Sequence, residues 1–232
     1  MYEQSLRIAE SKLHLKSDSE KAIATAIAEI RRHRRLLLNY IKEHPEFQNT
    51  LQPIEPSSEA PEIVRIMTEA SKKADVGPMA SVAGALADVA VRAMLRDGAR
   101  VAIVEDGGEI AVVTDSPVVI SIVSAYPKVS GKIGLRVTEK DCPLGVATSS
   151  SKTGHALSFG EADSVTILAE NAALADAAAT AVCNSVVGSD VDGSIRLGLE
   201  KARGIECVRG VIIVREGRLG LWGKIPEIVR VK

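Results

Sequence analysis

The stretch ARVAIVEDGGEIAVVTD, Ala99 to Asp115, decides the fold class. Two short apolar runs rich in valine and isoleucine flank Asp106-Gly107-Gly108, and such runs around a glycine pair read as strand, turn, strand. A connection this short needs positive φ, which glycine adopts without a Cβ clash. Strands joined so tightly run antiparallel, because a parallel pair needs a crossover of a dozen or more residues.

Downstream, PVVISIVSA (117–125), GKIGLRVTE (131–139), GVATSS (145–150) and SVTILAE (164–170) continue as strands. NAALADAAATAVCNSVV (171–187) is a predicted helix with Asn171 as its N-cap. A smaller helix around Ile195–Ala202 and two closing strands, GVIIVREG (210–217) and GLWGKI (220–225), follow. Upstream, MASVAGALADVAVRAMLRDG (79–98) is a helix apolar almost all round, entered at Pro78, ended at Gly98, and expected to be buried. Another helix spans Pro61–Lys73, and ADVGP breaks it. Residues 45–61, polar and proline-rich, read as a connection. At the N-terminus, Leu6 and Ile8 alternate with one parity and Leu13 and Leu15 with the other, so two short strands meet at a turn. Ser17 and Glu20 have capping-box spacing. Beyond them Ile23, Ala26, Ile27, Ile30, Leu37 and Ile41 share one helical face that ends before Pro45. Strands and helices come in blocks, which favours an α+β fold with a mainly antiparallel sheet packed on long buried helices. Residues 1–232 form one domain in this reading, with an N-terminal unit (1–44), a connection (45–61) and a main body (62–232).

With 46% hydrophobic and 25% charged residues the chain has the composition of a globular protein. A net charge of −1 and only 3% aromatic residues leave neither a general pull toward nucleic acid nor rings for base stacking. The basic run Arg31–Arg35, opposed by Glu20, Glu29 and Glu43, reads as a solvated helix face. The three cysteines, Cys142, Cys183 and Cys207, have no metal-type spacing and fit buried free thiols in a reducing compartment. No apolar run approaches the roughly 20 residues of a membrane helix, and no secretory signal opens the chain, so a cytoplasmic protein is expected.

Ala-Leu-Ala-Asp occurs twice, ending at Asp88 and at Asp176, each time in an apolar helix. The echo marks either two equivalent helices side by side in one core or chance recurrence in alanine-rich sequence. Four residues beyond Asp88 stands Arg92, whereas four beyond Asp176 stands Thr180. Asp176 and Thr180 therefore share a helix face and present a carboxylate and a hydroxyl to one point. Magnesium accepts such hard oxygens and completes its shell with water and phosphate. The alternative is a surface polar pair or an internal hydrogen bond. His155, after the hydroxyl-rich run Thr148–Ser151, is a candidate general base or phosphate ligand as well as a structural histidine. Asp106-Gly107-Gly108 is either the hairpin turn alone or also a surface that lets a flat ring or phosphate approach the backbone.

VEDGGEIAV, GVATSSSKTGHALSFG and SVTILAENAALADAAATAV, in that order, resemble ApbE, the magnesium-dependent flavin transferase. RRLLLNYIKEHPEF, VGPMASVAGALAD and SGKIGLRV extend the likeness across nearly the whole chain, to an uncharacterised ApbE-like family. ApbE cleaves FAD, attaches FMN to a threonine of an acceptor protein and releases AMP. The resemblance implies Mg2+ at Asp176 and Thr180 with a carbonyl from the Ala172 region. It also implies a flavin (FAD or FMN) site at Asp106, Gly107, Gly108, Thr148 and Ser149, and a catalytic role for His155. After His155 the chain reads Ala-Leu-Ser-Phe-Gly, where ApbE has Ile-Ile-Asp-Pro. The expectation is a magnesium-dependent transferase or hydrolase acting on FAD or another nucleotide pyrophosphate. Its alternatives are a non-catalytic flavin- or nucleotide-binding protein, and a structural subunit of a homo-oligomer whose apolar helices serve assembly.

Overall fold

The computed structural model describes residues 1–151 and 159–231. Its strands are β1 (Tyr2–Ile8), β2 (Ser11–Ser17), β3 (Ala102–Asp106), β4 (Glu109–Val113), β5 (Val118–Ser121), β6 (Ile133–Val137), β7 (Leu144–Ser149), β8 (Ser164–Ala169), β9 (Val208–Arg215), β10 (Arg218–Gly223) and β11 (Glu227–Arg230). Its helices are α1 (Glu20–Glu43), α2 (Glu46–Asn49), α3 (Glu62–Ala74), α4 (Val82–Arg96), α5 (Ala172–Ser185) and α6 (Val191–Arg203). Eight strands form one sheet in the order β1-β2-β3-β4-β7-β8-β9-β10, and β11-β6-β5 form a second. Every strand pairing is antiparallel. The decisive hairpin is present: Asp106 pairs with Glu109, and Gly107 and Gly108 take φ of 72° and 122°.

Strand alternation assigns the two faces of the large sheet. Leu13, Leu15, Val104 and Ala111 pack against α1 and α4, while Ala147, Val165, Ile167, Val211 and Ile213 pack against α5 with α3, α4 and α6 around it. On the opposite face Val112, Val146, Leu168 and Ile212 meet Ile120, Leu135 and Val137 of the small sheet. Alanine makes the helix layer possible, because a run of methyl-sized side chains lets α5 sit between the sheet and α3. The sequence expectation of an α+β fold with a mainly antiparallel sheet and buried helices holds.

Several local expectations are corrected. The cap of α1 is Ser19, whose hydroxyl accepts from Ala22 N, while Ser17 Oγ instead accepts from Ser19 N. Within the connection, α2 makes one helical turn because Phe47 is fully buried against Tyr40. Pro78–Ser81 forms a 3-10 turn, so the long apolar helix starts at Val82. The continuous stretch Pro78–Arg96 has the length and composition of a membrane span, contrary to the sequence estimate, and is 67% buried within the fold. In the basic run His33 is buried, closed in by Glu29 and Glu62, so that face is not wholly solvated. Only Cys183 among the cysteines is buried; Cys142 and Cys207 are partly exposed. The strand β11 carries no turn signal strong enough to have marked it.

Candidate functional site

The two Ala-Leu-Ala-Asp segments meet. Asp88 of α4 accepts hydrogen bonds from Ala172 N and Ala173 N, the first two N–H groups of α5, both at 2.9 Å. Asp176 of α5 accepts from Gly84 N at 3.0 Å and from Ala83 N, in the first turn of α4. Each aspartate thus satisfies the unpaired amides that open the other helix, where the helix dipole also favours negative charge. The pairing Gly84 with Asp176 and Asp88 with Ala172 makes the helices run in opposite directions over their first turns. Only glycine permits this approach, because a Cβ at position 84 would lie 2.2 Å from the Ala172 carbonyl oxygen. Gly145 of β7 is equally close to the Asn171 carbonyl and so seats the start of α5 on the sheet.

Beside this crossing lies the decisive hairpin. Asp106 and Glu109 sit directly opposite each other, and with Ala111 of the same strand they face the helices. Ser11 Oγ donates to Asp106 Oδ2 at 2.9 Å. The carboxyl groups of Asp106, Glu109 and Asp176 act on one another. Burial, with the Asp176 charge second, pushes Glu109 well above the usual carboxylate range. Burial raises Asp176 to about 7, with the Asp106 charge adding to it, although part of its surface reaches solvent. Asp106 is pushed to about 6, again chiefly by burial and against the Ser11 hydrogen bond. Asp88 also rises to about 6 through burial, despite its two amide donors and nearby Arg92.

Thr180 stands one turn beyond Asp176, partly exposed, and its hydroxyl has no hydrogen-bond partner among the described residues. Ser149 shares the helix-facing side of β7 with Gly145 and Ala147, and its buried hydroxyl has no partner either. From the level of Gly145 and Asn171, four strand residues advance about 13 Å. That equals about nine helical residues, so Ser149 comes to roughly the level of Thr180. Thr148 points to the opposite face, where its hydroxyl bonds that of Thr166 at 2.8 Å, so the sheet separates it from the rest of the predicted flavin set. Ala172 is fully buried, with its N–H given to Asp88 and its carbonyl closed against Gly84. It therefore offers no free carbonyl edge, and the amides of Ala83 and Gly84 at the crossing are already given to Asp176. His155 lies outside the described residues. Among the described residues no three or more His, Cys, Asp or Glu side chains form a ready metal-ligand group. The hard donors on α5 are the carboxylate of Asp176 and the hydroxyl of Thr180, with the Ser149 hydroxyl on β7 and the carboxyls of Asp106 and Glu109 on the hairpin beside them.

Asp88, Glu109, Ala83 and Gly84 were not singled out as site residues from sequence. The Ala-Leu-Ala-Asp echo held the signal for Asp88, and the hairpin register held it for Glu109.

Comparison with known proteins supports the resemblance. UPF0280 proteins of Methanocaldococcus jannaschii and Methanococcus aeolicus are 38% and 39% identical to this chain, each over 99% of it and 93% of their own length. A UPF0280 protein of Methanopyrus kandleri is 36% identical over 100% of the chain and 95% of its own. The ApbE protein of Thermotoga maritima superposes with a TM-score of 0.62 at 14% identity, over 100% of this chain and 97% of its own. Flavin transferase ApbE of Vibrio cholerae gives 0.60 at 13% identity over 96% of each chain, so both structures share the fold. The sequence model of the family described as AbpE bacteria matches residues 3–196, and with relatives of this identity along its whole length the chain belongs to that ApbE-like family.

Proposed function

We propose that the protein is a magnesium-dependent enzyme acting on the pyrophosphate of FAD or a related nucleotide, at the crossing of α4 and α5. The observation that carries the reading is the stacking of Asp176 and Thr180 on the side of α5 that meets both the α4 N-terminus and the Asp106–Glu109 hairpin. Asp176 and Thr180 would hold the ion, which would neutralise pyrophosphate charge when bound. The chemistry of the donors fits: a deeply set carboxylate raised toward neutrality and a hydroxyl without a partner are hard oxygen ligands, with further positions left to water and phosphate. Gly107 and Gly108 present a turn without side chains to a flat ring, and Ser149 offers a buried hydroxyl to a phosphate or ring oxygen. His155 is the proposed general base for an incoming hydroxyl.

A second reading, nucleotide binding without transfer, is favoured by one observation: after His155 the chain lacks the acid and proline found in ApbE. Incubation with FAD and Mg2+, followed by chromatography for AMP and FMN, separates the two. Release of AMP that disappears in Asp176→Ala supports the enzyme. Magnesium-dependent FAD binding by calorimetry without release supports the binding protein, and absence of both refutes each reading.

A further inference from the structure

The two outer strands of the large sheet are managed differently. β1 carries Glu3 and Arg7 along its exposed edge, and charge of this kind guards against pairing with another chain. β10 reads Arg-Leu-Gly-Leu-Trp-Gly, and Leu219 and Leu221 are 55% and 50% exposed. Glu216 and Gly217 form a two-residue turn that pairs Arg215 with Arg218. Alternation along the hairpin then turns the backbone groups of Arg218, Gly220 and Trp222 toward β9. Those of Leu219, Leu221 and Gly223 point outward, away from the sheet.

We propose that β10 is a self-association edge, on which a second copy of this chain pairs antiparallel about a two-fold axis at Gly220. An isologous contact must be complementary to itself, and the sequence of β10 selects the register. Centred on Gly220, Leu219 faces Leu221 of the other copy, so four leucines cluster on one side. Arg218 then faces Trp222, and Glu216 faces Lys224, giving two opposite-charge pairs at the ends of the contact; both residues are exposed. Gly217 faces Gly223, so neither brings a side chain of its own to the contact, and Tyr126 packs against Gly217. A shift by one residue pair toward Gly223 sets Arg218 against Lys224, a like-charge contact. The opposite shift leaves Leu221 facing Gly217 with no side chain to meet. The strand bends away at Gly223, where φ is 86°, so backbone pairing is limited to the symmetric span 217–223 and the charges of Glu216 and Lys224 meet just beyond its ends.

Sedimentation velocity on the full chain at micromolar concentrations is expected to give twice the chain mass. Replacing both leucines, Leu219→Lys with Leu221→Lys, should weaken association at least tenfold while leaving the far-UV circular dichroism unchanged, because both side chains are exposed. The thermal midpoint should fall only by what the lost association contributed. Glu216→Lys and Lys224→Glu should each weaken the dimer, and the two together should restore it. A monomer at every concentration overturns the proposal. So does a dimer indifferent to the leucine replacements, which would place the contact elsewhere, or single charge reversals that the double reversal fails to rescue.

Discussion

Replacing Asp88 by asparagine should remove a pH dependence of the protein's stability, at the cost of one of the two amide hydrogen bonds that Asp88 accepts at a helix N-terminus. Its folded pKa is about 6, raised by burial in spite of those donors. In an unfolded chain an aspartate titrates near 3.9. A pKa raised on folding means that the folded state holds the proton more tightly. The stability attached to that proton is fully present below about pH 4 and is lost as pH rises through about 6. Two pKa units correspond to about 3 kcal/mol by pH 7. Asparagine is neutral at every pH but has one oxygen where Asp88 uses two, so its Nδ2 faces one of the two amides. Asp88→Asn should therefore lie about 1–3 kcal/mol below the parent near pH 4 and regain up to about 3 kcal/mol relative to it by pH 7. Asp88→Ala should likewise narrow its deficit toward pH 7, but near pH 4 it should lose stability because the amides of Ala172 and Ala173 have no acceptor. The loss should be about 2–4 kcal/mol, toward the lower end because water can enter the cavity of about 110 Å³ that Asp88 lines. Urea denaturation at pH 4, 5.5 and 7 measures all three proteins. A difference between parent and Asp88→Asn that does not change in favour of the variant from pH 4 to pH 7 refutes the account of this carboxylate.

Gly84→Ala should cost about 3 kcal/mol in a thermal melt, since its Cβ would strike the Ala172 carbonyl and force α4 from α5; an unchanged midpoint would deny the close crossing. Phe47→Ala should cost about 3–5 kcal/mol, because its ring is fully buried in a segment otherwise polar. A loss below 1 kcal/mol would show that α2 is not docked as described. Magnesium at about 100 times its dissociation constant should stabilise the protein by about 2.7 kcal/mol at pH 8. The effect should shrink by pH 5.5, because Asp176, with a pKa of about 7, must lose its proton to bind. Calorimetric melts with and without magnesium test this, and stabilisation that survives Asp176→Asn would place the ion elsewhere.

The α+β class was legible because the hairpin at Asp106–Gly108 and the capped helix from Asn171 are local signals, read within a few residues. The 3.6-residue period likewise placed α1, and the ADVGP breaker marked the end of α3. What stayed hidden depends on contacts across the chain. Phe47 gives α2 its reason to form only once α1 brings Tyr40 to it. Thr148 and Ser149 are neighbours in sequence, yet strand alternation sends them to opposite faces, and only the sheet order says which face holds α5. The role of Asp88 lay beyond any local rule: its partners are 84 and 85 residues away. The repeated Ala-Leu-Ala-Asp pointed to it, but four residues alone could not separate equivalence from chance.

The reciprocal caps explain why such costly carboxylates are retained where α4 and α5 meet. A neutral side chain could cap either helix without the burial penalty that raises Asp88 and Asp176. At Asp88 two amides and nearby Arg92 offset part of the burial penalty from within the fold. At Asp176 the balance differs: two amides are present, but Asp106 and Asp88 add repulsion, and Asp176 in turn repels Glu109. Position i+4 sharpens the contrast, because the residue that is arginine after Asp88 is threonine after Asp176. One copy of the motif thus carries its own positive charge, and the other carries a hydroxyl in its place. The cluster around Asp176 lacks on its own helix the cation that Arg92 gives Asp88, and Arg34 acts on Asp106 instead; a bound divalent ion is the proposed source of the remaining charge.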